Sequence, residues 1–359
     1  MGWGVLFVVN GLGLGNSTRC HAIMQCLHEK RAWIDVITSG NGLWYLRQQP
    51  EVRNLFAMES LQYQSSGGAI SISRTLASLG DVLCALVRKR KKVAALVEAN
   101  RPSVIVTDSE YTFFERRFRG IPVVALNNSD VVWHAYQKFV DKPEEIKAQF
   151  YAIEVMDFCY HRLVPSLVLS PTVDSSIKQS KGRFMRVGPI VRRGYEPSIQ
   201  KGKPKYVVIM LSGSVFGSQV HLITKKFPFH IDIVGREQPP NTDPHPSITY
   251  HGKLMDNRSL LSRADLLVVN GGFSAVSEAF FMQKPMVVIP VPRHAEQWIN
   301  GRIITDLGVG MMAGQDQIEE AIYTAIDRLE HFRAAYQQLK PVLNGAETAA
   351  QKIRELAQK

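Results

Sequence analysis

Hydrophobic positions along the chain gather into short continuous runs, and the stretches between them carry apolar residues at helical spacing. The first runs cover residues 4–10, 34–39, 104–107 and 121–126. Between them the spacing predicts helices at about 17–29, 76–98 and 111–118. Continuous apolar strands alternating with helices are the pattern of parallel βαβ units. A second series of runs, at 206–211, 229–234, 266–269 and 286–290, repeats the alternation. Between the series lies a stretch rich in Gly, Pro and Lys, read as a linker at 189–204. The expected fold class is therefore α/β, with two Rossmann-like doubly wound domains at 1–188 and 205–340. A terminal helical stretch, 341–359, follows Pro341 and is expected to return to the first domain. Doubly wound sheets bind ligands beyond the C-terminal ends of their strands, so two such units predict a ligand in the cleft between them.

Composition narrows the setting. The chain has 359 residues, enough for two domains with their own cores. Its four cysteines, Cys20, Cys26, Cys84 and Cys159, show no CxxC spacing, which fits thiols in a reducing compartment. The start of the chain lacks a basic leader and reaches a glycine loop after one strand, unlike a signal peptide. No apolar run approaches the ~18 residues that span a bilayer. The expected location is cytoplasmic.

The net charge of +11 favours anionic partners. The densest cluster, Arg88, Lys89, Arg90, Lys91 and Lys92, is flanked by Leu83, Leu86, Val87, Val93, Leu96 and Val97, as on an amphipathic helix. It reads either as a solvated face or as a face lying on an anionic membrane, peripheral to its inner side. No aromatic-interleaved basic motif appears, so nucleic acid is not an expected partner.

Two glycine loops carry candidate chemistry. The first strand ends in Asn10-Gly11-Leu12-Gly13-Leu14-Gly15-Asn16, with Arg19 a turn further on. Glycines let backbone approach an anion, and the following helix offers unpaired N–H groups. The spacing is neither the dinucleotide fingerprint nor the P-loop. Gly13, Gly15, Asn16 and Arg19 are candidate acceptor-side contacts, Arg19 serving equally well as a surface ion-pair partner. The second domain opens with a similar turn, Ser212-Gly213-Ser214.

The stretch from Asn270 to Asn300 is more specific. A strand ends at Asn270-Gly271-Gly272-Phe273-Ser274, and Glu278 follows one helical turn after Ser274. Two glycines and a helix N-terminus suit a diphosphate. A carboxylate at Glu278 suits both hydroxyls of a ribose. The next strand leads to Arg293-His294-Ala295-Glu296-Gln297-Trp298-Ile299-Asn300, where Glu296 and Gln297 suit the hydroxyls of a hexose. His294 reads equally as an idle surface side chain.

The string NGGFSAVSEAFFMQKPMVVIPV, followed by EQWIN, resembles the donor-binding motif of GT-B glycosyltransferases. It is similar to both the MurG-type N-acetylglucosaminyltransferases and the UDP-glycosyltransferases. The resemblance implies the GT-B fold, two Rossmann-like domains facing each other across a cleft. It also implies a UDP-sugar as donor substrate, with no further cofactor and no metal. Gly271, Gly272, Phe273 and Ser274 would hold the diphosphate and Glu278 the ribose. Glu296 and Gln297 would meet the transferred sugar, and Asn300 would support their loop. Ser212, Gly213 and Ser214 would border the phosphates, with uracil read by backbone around Gly252, Lys253 and Leu254. Two positions depart from the pattern: Asn270 and Asn16 stand where many relatives carry His.

Since Asn16 takes no proton, the general base that inverting transfer needs must lie elsewhere. Asp108, at the end of the strand 104–107, is the expected base, with Glu110 two residues on as the alternative. Asp108 reads equally as a helix N-cap. His134 is a third candidate, for acceptor contact. Residues 60–79, rich in Gly, Ser and Ile, are the expected acceptor-facing loop, and a lipid-linked or cell-envelope acceptor is one expectation. Two alternatives to transfer stay open: a UDP-sugar epimerase or hydrolase of the same fold, and a non-catalytic nucleotide-sugar-binding protein.

Overall fold

The computed structural model describes residues 2–59, 65–66, 69–70, 79–199, 202–211, 228–238 and 246–358. The strands of the first half are β1 (Gly4–Val9), β2 (Trp33–Thr38), β3 (Asn54–Ala57), a two-strand ribbon of β4 (Ser65–Ser66) and β5 (Ala69–Ile70), β6 (Val104–Asp108), β7 (Arg117–Phe118), β8 (Ile121–Leu126), β9 (Leu167–Pro171) and β10 (Phe184–Val187). They form a sheet in the order β10-β9-β8-β6-β1-β2-β3, parallel throughout, with β7 added antiparallel to β8 and the ribbon apart. The second half holds β11 (Tyr206–Met210), β12 (His230–Ile233), β13 (Ile248–Tyr250), β14 (Leu266–Val269), β15 (Met286–Val288) and β16 (Gly310–Met312). Their order is β13-β12-β11-β14-β15-β16, again parallel. Both sheets wind outward from one central pair, β1 with β6 and β11 with β14. Register sets Val9 beside Asp108 and Met210 beside Val269, so the loops leaving each central pair emerge side by side. That reversal point is where doubly wound sheets place their ligands.

The helices that matter below are α1 (Leu14–Glu29), α2 (Gly40–Leu46), α3 (Leu79–Asn100), α4 (Ser129–Lys138) and α5 (Glu144–Gln149). A π-helical turn, Phe150–Glu154, runs directly into α6 (Val155–Leu163). The second half adds α7 (Arg258–Arg263), α8 (Phe273–Phe281), α9 (Ala295–Asp306), α10 (Ile318–Asp327) and α11 (Leu329–Gln338) before the terminal α12 (Gly345–Ala357).

One expected element is different. Residues 111–118 are not a helix: the chain runs irregularly to β7 and turns back into β8 through Arg119 and Gly120. Both turn residues have positive φ, 51° and 84°, the type I′ geometry whose twist matches a hairpin. Phe113 and Phe118 are buried in one cluster with Val123 and Val93, so the apolar positions that suggested a helix face serve a sheet edge instead.

Apolar packing joins the halves. Tyr136 of α4 and Phe150 of the π turn share one buried cluster with Ile299 and Ile303 of α9 and with Val269 of β14. The terminal α12 packs on the first half: Ala349, Ala350 and Ile353 are fully buried in a cluster with Val5, Phe7 and Leu27. A fully buried Ile contributes about 1.5–3 kcal/mol, so this helix is an integral part of the first core. The two chain crossings between the halves meet. Gly345 N donates to Pro189 O at 2.8 Å, and Asn344 Nδ2 donates to Val191 O at 2.7 Å. The expected linker thus begins as packed structure, with Ile190, Val191, Arg192 and Tyr195 all buried.

Candidate active site

A cavity of ≈ 520 Å³ lies between the two sheets, at the C-terminal ends of both central strand pairs. Three helices begin at its wall. α1 starts after Gly13, α8 after Gly272 and α9 after His294, and none of these three residues caps its helix with a side chain. Each N-terminus carries roughly half a positive charge together with unpaired N–H groups. The sequence explains why they lie open. Glycine at two of the three caps leaves the backbone bare, and a methyl group added at Gly13 or Gly272 would meet no protein atom within 4 Å. Gly271 has the opposite role: its φ is +85°, and a Cβ there would lie 2.7 Å from the Gln297 backbone oxygen.

Contacts across the cleft fix the halves around this space. Ser274 Oγ donates to Gly15 O at 2.9 Å. Asn128 Nδ2 donates to Glu296 Oε1 at 3.0 Å, and Lys253 Nζ donates to Asn41 Oδ1 at 2.6 Å. Gln149 Oε1 accepts from Ala295 N at 2.9 Å, which supplies one partner to the start of α9 from the opposite domain.

Of the residues expected on the donor side, Lys253, Leu254, Asn270, Gly272, Phe273, Ser274, Glu278, His294, Glu296 and Gln297 line the cavity. Gly252, Gly271 and Asn300 stand behind the wall. Asn300 Nδ2 donates to Gly271 O at 2.9 Å, holding the glycine turn from below. Gln297 Oε1 accepts from Val291 N at 2.9 Å, so part of its amide is committed to the loop. Burial pushes His294 down to about 4, leaving a neutral imidazole near pH 7. Ser212, Gly213 and Ser214 lie outside the described residues, as do most of 60–78. On the acceptor side, Gly13, Gly15, Asn16 and Arg19 line the cavity. His134 does not: it bonds Ser180 Oγ at 2.9 Å, with Asp130 at 3.5 Å.

Neither expected base reaches the cavity. Asp108 is fully buried, and Arg19 grips both its oxygens, Nε to Oδ2 at 2.9 Å and Nη2 to Oδ1 at 2.5 Å. Such a bidentate pair takes up both carboxylate oxygens and leaves neither turned to the cavity. Glu110 is buried against Lys89 at 3.1 Å and Thr112 Oγ1 at 2.8 Å. The wall instead carries four other carboxylates: Glu278, Glu296, Glu154 and Asp157.

Glu278 sits 3.2 Å from Arg192 Nη2, a guanidinium that also donates to Asn257 Oδ1 at 2.9 Å. Burial opposes the charge on Arg192, but Glu278, Tyr195 and Tyr45 outweigh it and hold the group above its ordinary range. The Asp157 carboxylate takes two donors, Tyr111 Oη at 2.8 Å and Asn127 Nδ2 at 3.0 Å, while His161 Nδ1, bonded to the Asp157 backbone oxygen at 2.9 Å, also lies 2.9 Å from Oδ1. Burial favours its neutral form, yet His161, Asn127 and Tyr111 together hold it below the usual carboxylate range. Glu154 and Glu296 move the other way. Burial raises both, and mutual repulsion adds to it for Glu154, which stands at about 8. Glu154, Asp157, Gln149 and Arg192 escaped the sequence reading. Their segments carry no glycine loop, and Arg192 lies in a stretch whose Gly and Pro content suggests a tether.

The basic run is largely neutralised within the first half. Lys89 pairs with Glu110, Arg90 with Glu115 at 2.6 Å and Arg88 with Glu59 at 3.0 Å. Among the described residues no helix is long and apolar enough to cross a membrane. No group of three or more His, Cys, Asp or Glu among them is arranged to hold a metal ion.

Two parallel doubly wound sheets facing a shared cleft, with glycine turns and helix N-termini at the reversal points, define the GT-B class of glycosyltransferases. The model of glycosyl transferase family 1 matches residues 4–330, and the chain belongs to that family. An uncharacterized glycosyltransferase of Methanosarcina acetivorans is 23% identical over 382 aligned residues, covering 99% of this chain and 98% of that one. Among solved structures, MurG of Acinetobacter baumannii superposes with a TM-score of 0.59 at 14% identity, covering 98% of this chain and 99% of the other. The Streptomyces sp. SF2575 glycosyltransferase SsfS6, complexed with thymidine diphosphate, gives 0.58 at 15% identity. At such identities the likeness speaks for the fold.

Proposed function

We propose that this glycosyltransferase moves a hexose or N-acetylhexosamine from a UDP-sugar to an acceptor hydroxyl, with inversion at the anomeric carbon. The observation that carries the reading is the convergence of three helix N-termini on one cavity at both sheet reversals. A departing diphosphate gathers negative charge as the glycosidic bond to phosphate lengthens. Preorganised N–H dipoles aimed at that charge stabilise the transition state without reorganising. That field suits a leaving group handled without a metal ion. Met210, Val234, Leu254 and Met255 form an apolar slot beside it, suited to a pyrimidine face. Glu278, more than a turn into α8, suits the ribose hydroxyls, and Glu296 with Gln297 suits those of the sugar. The complex of SsfS6 with thymidine diphosphate supports a nucleoside diphosphate of the same general kind.

Calorimetry with UDP, dTDP and GDP tests the donor. UDP is expected to bind in the micromolar range, with dTDP weaker and GDP weakest. Equal or absent binding of all three would sink the assignment. NMR of the product anomer, starting from an α-linked UDP-sugar, tests inversion; an α-linked product refutes it.

A further inference from the structure

We propose that Glu154 is the base that accepts the acceptor's proton, held in position by the π turn that ends on it; this rests on the transferase reading above. The choice follows from which carboxylates line the cavity and which still have a free hand. Asp108 and Glu110 lie behind the wall, each locked to a cation. Glu278 is paired with Arg192, and Asp157 has a donor on each oxygen with His161 beside it. Glu296 accepts from Asn128 and belongs to the donor-sugar loop. Glu154 receives one side-chain donor, Gln149 Nε2 to Oε1 at 2.7 Å, with the Glu296 backbone N–H as a further partner.

Gln149 is itself oriented, because its Oε1 accepts from Ala295 N. The amide therefore presents its N–H₂ to Glu154 and ties the carboxyl to the start of α9. The π turn matters to this placement. One extra residue per turn shifts the register between α5 and α6, and Glu154 and Asp157 then face the same cavity. Phe150, fully buried and stacked on Tyr136 at 3.5 Å between centroids, anchors the turn's first residue. Single π turns cluster at functional sites, since they persist only when the surroundings hold them.

The step balances without any co-reactant. The acceptor O–H proton passes to the Glu154 carboxylate, and the oxygen's electron pair forms the new bond to the anomeric carbon. The bond from that carbon to the phosphate oxygen breaks, and its electron pair leaves on the diphosphate at the helix N-termini. The groups facing Glu154 are Glu296 of α9 and Asp157 of α6, both acidic, with Gln149 of α5 neutral. Burial first, then the charges of Glu296 and Asp157, raise its proton affinity against the opposing hydrogen bonds from Gln149 and the Glu296 backbone, so turnover climbs with pH through about 8 as the base ionises.

The test compares nucleophiles on UDP-glucose. Water must lose a proton to attack, whereas azide need not. Glu154→Gln keeps the volume and the Gln149 bond. Expected is a loss of roughly 10²-fold or more in water-dependent UDP release, with glycosyl azide formation retained within about threefold. The rise of the water reaction with pH disappears as well. Calorimetric affinity for UDP and the melting temperature, both read near pH 5 where Glu154 is protonated, serve as checks on fold and donor site, and both should stay near wild type. Equal loss of the two reactions, or no loss in either, overturns the assignment. Wild-type protein that neither binds UDP nor releases it overturns the donor reading too, an outcome distinct from any behaviour of the variant.

Discussion

Adjacent glycines at the start of α8 should separate stability from ligand binding. Gly271→Ala forces a side chain into a left-handed backbone, φ +85°, at a cost of about 1–2 kcal/mol. Its Cβ would also sit 2.7 Å from the Gln297 carbonyl oxygen and 2.8 Å from Val288 Cγ1. The first is backbone and cannot swing aside, so overpacking adds about 1–3 kcal/mol. The sum, ~2–5 kcal/mol, lowers the melting temperature by roughly 4–20 °C at ~2–4 °C per kcal/mol. Gly272→Ala differs on both counts. Its φ is −59° and the added methyl meets no protein atom within 4 Å, so stability should hold or rise slightly. The methyl instead enters the cavity where the diphosphate is proposed to lie. Losing one charge-assisted hydrogen bond, about 1.5–3 kcal/mol, weakens UDP binding roughly 10–100-fold. Differential scanning fluorimetry reads the first effect and isothermal calorimetry with UDP the second. Gly271→Ala melting within 1 °C of wild type, or Gly272→Ala binding UDP normally, would refute the reasoning.

Other substitutions probe the buried charges. Asp108→Ala strands the Arg19 guanidinium inside the first half and should cost about 3–5 kcal/mol in urea unfolding; a stable but inactive variant would return Asp108 to the chemistry. Arg192→Met leaves Glu278 buried without its cation, so UDP affinity and stability, by about 3–5 kcal/mol, should fall together. Unchanged unfolding would show that Glu278 needs no partner. Glu154 has its folded pKa raised to about 8, so its contribution to stability is complete below its unfolded value and lost as pH rises through 8. Glu154→Gln should flatten that decline between pH 5 and 9, and parallel wild-type and variant curves would contradict it.

The sequence displayed what depends on local pattern. Strand runs, the two glycine loops and the stretch from Asn270 to Asn300 follow from burial on both faces and from backbone demands at single positions. Pairings across distance stayed hidden. Nothing near Asp108 announces that Arg19, 89 residues away, claims both its oxygens. The run Arg88 to Lys92 likewise looks unpaired until Glu59, Glu110 and Glu115 fold onto it. The π turn is invisible for another reason. Its apolar residues read the same at five-residue and four-residue closure, so the register that turns Glu154 inward is decided by Phe150 packing on Tyr136. The Arg119-Gly120 hairpin, in contrast, carried a legible signal, a turn glycine between Phe118 and Ile121, that the helical spacing of 111–118 masked.

The joint where Gly345 meets Pro189 has a consequence for how the molecule is assembled as a gene product. Because α12 belongs to the first core, the second half is topologically an insertion whose two ends emerge side by side. Such a module can in principle be lifted out and another set in its place, with the host domain closed across a gap of a few residues. Any hinge motion between the halves must likewise bend two adjacent strands of chain together, which limits it to rotation about one axis rather than a free swing. Recombination that exchanges the second half while keeping the first intact would need only two cuts, both at this joint.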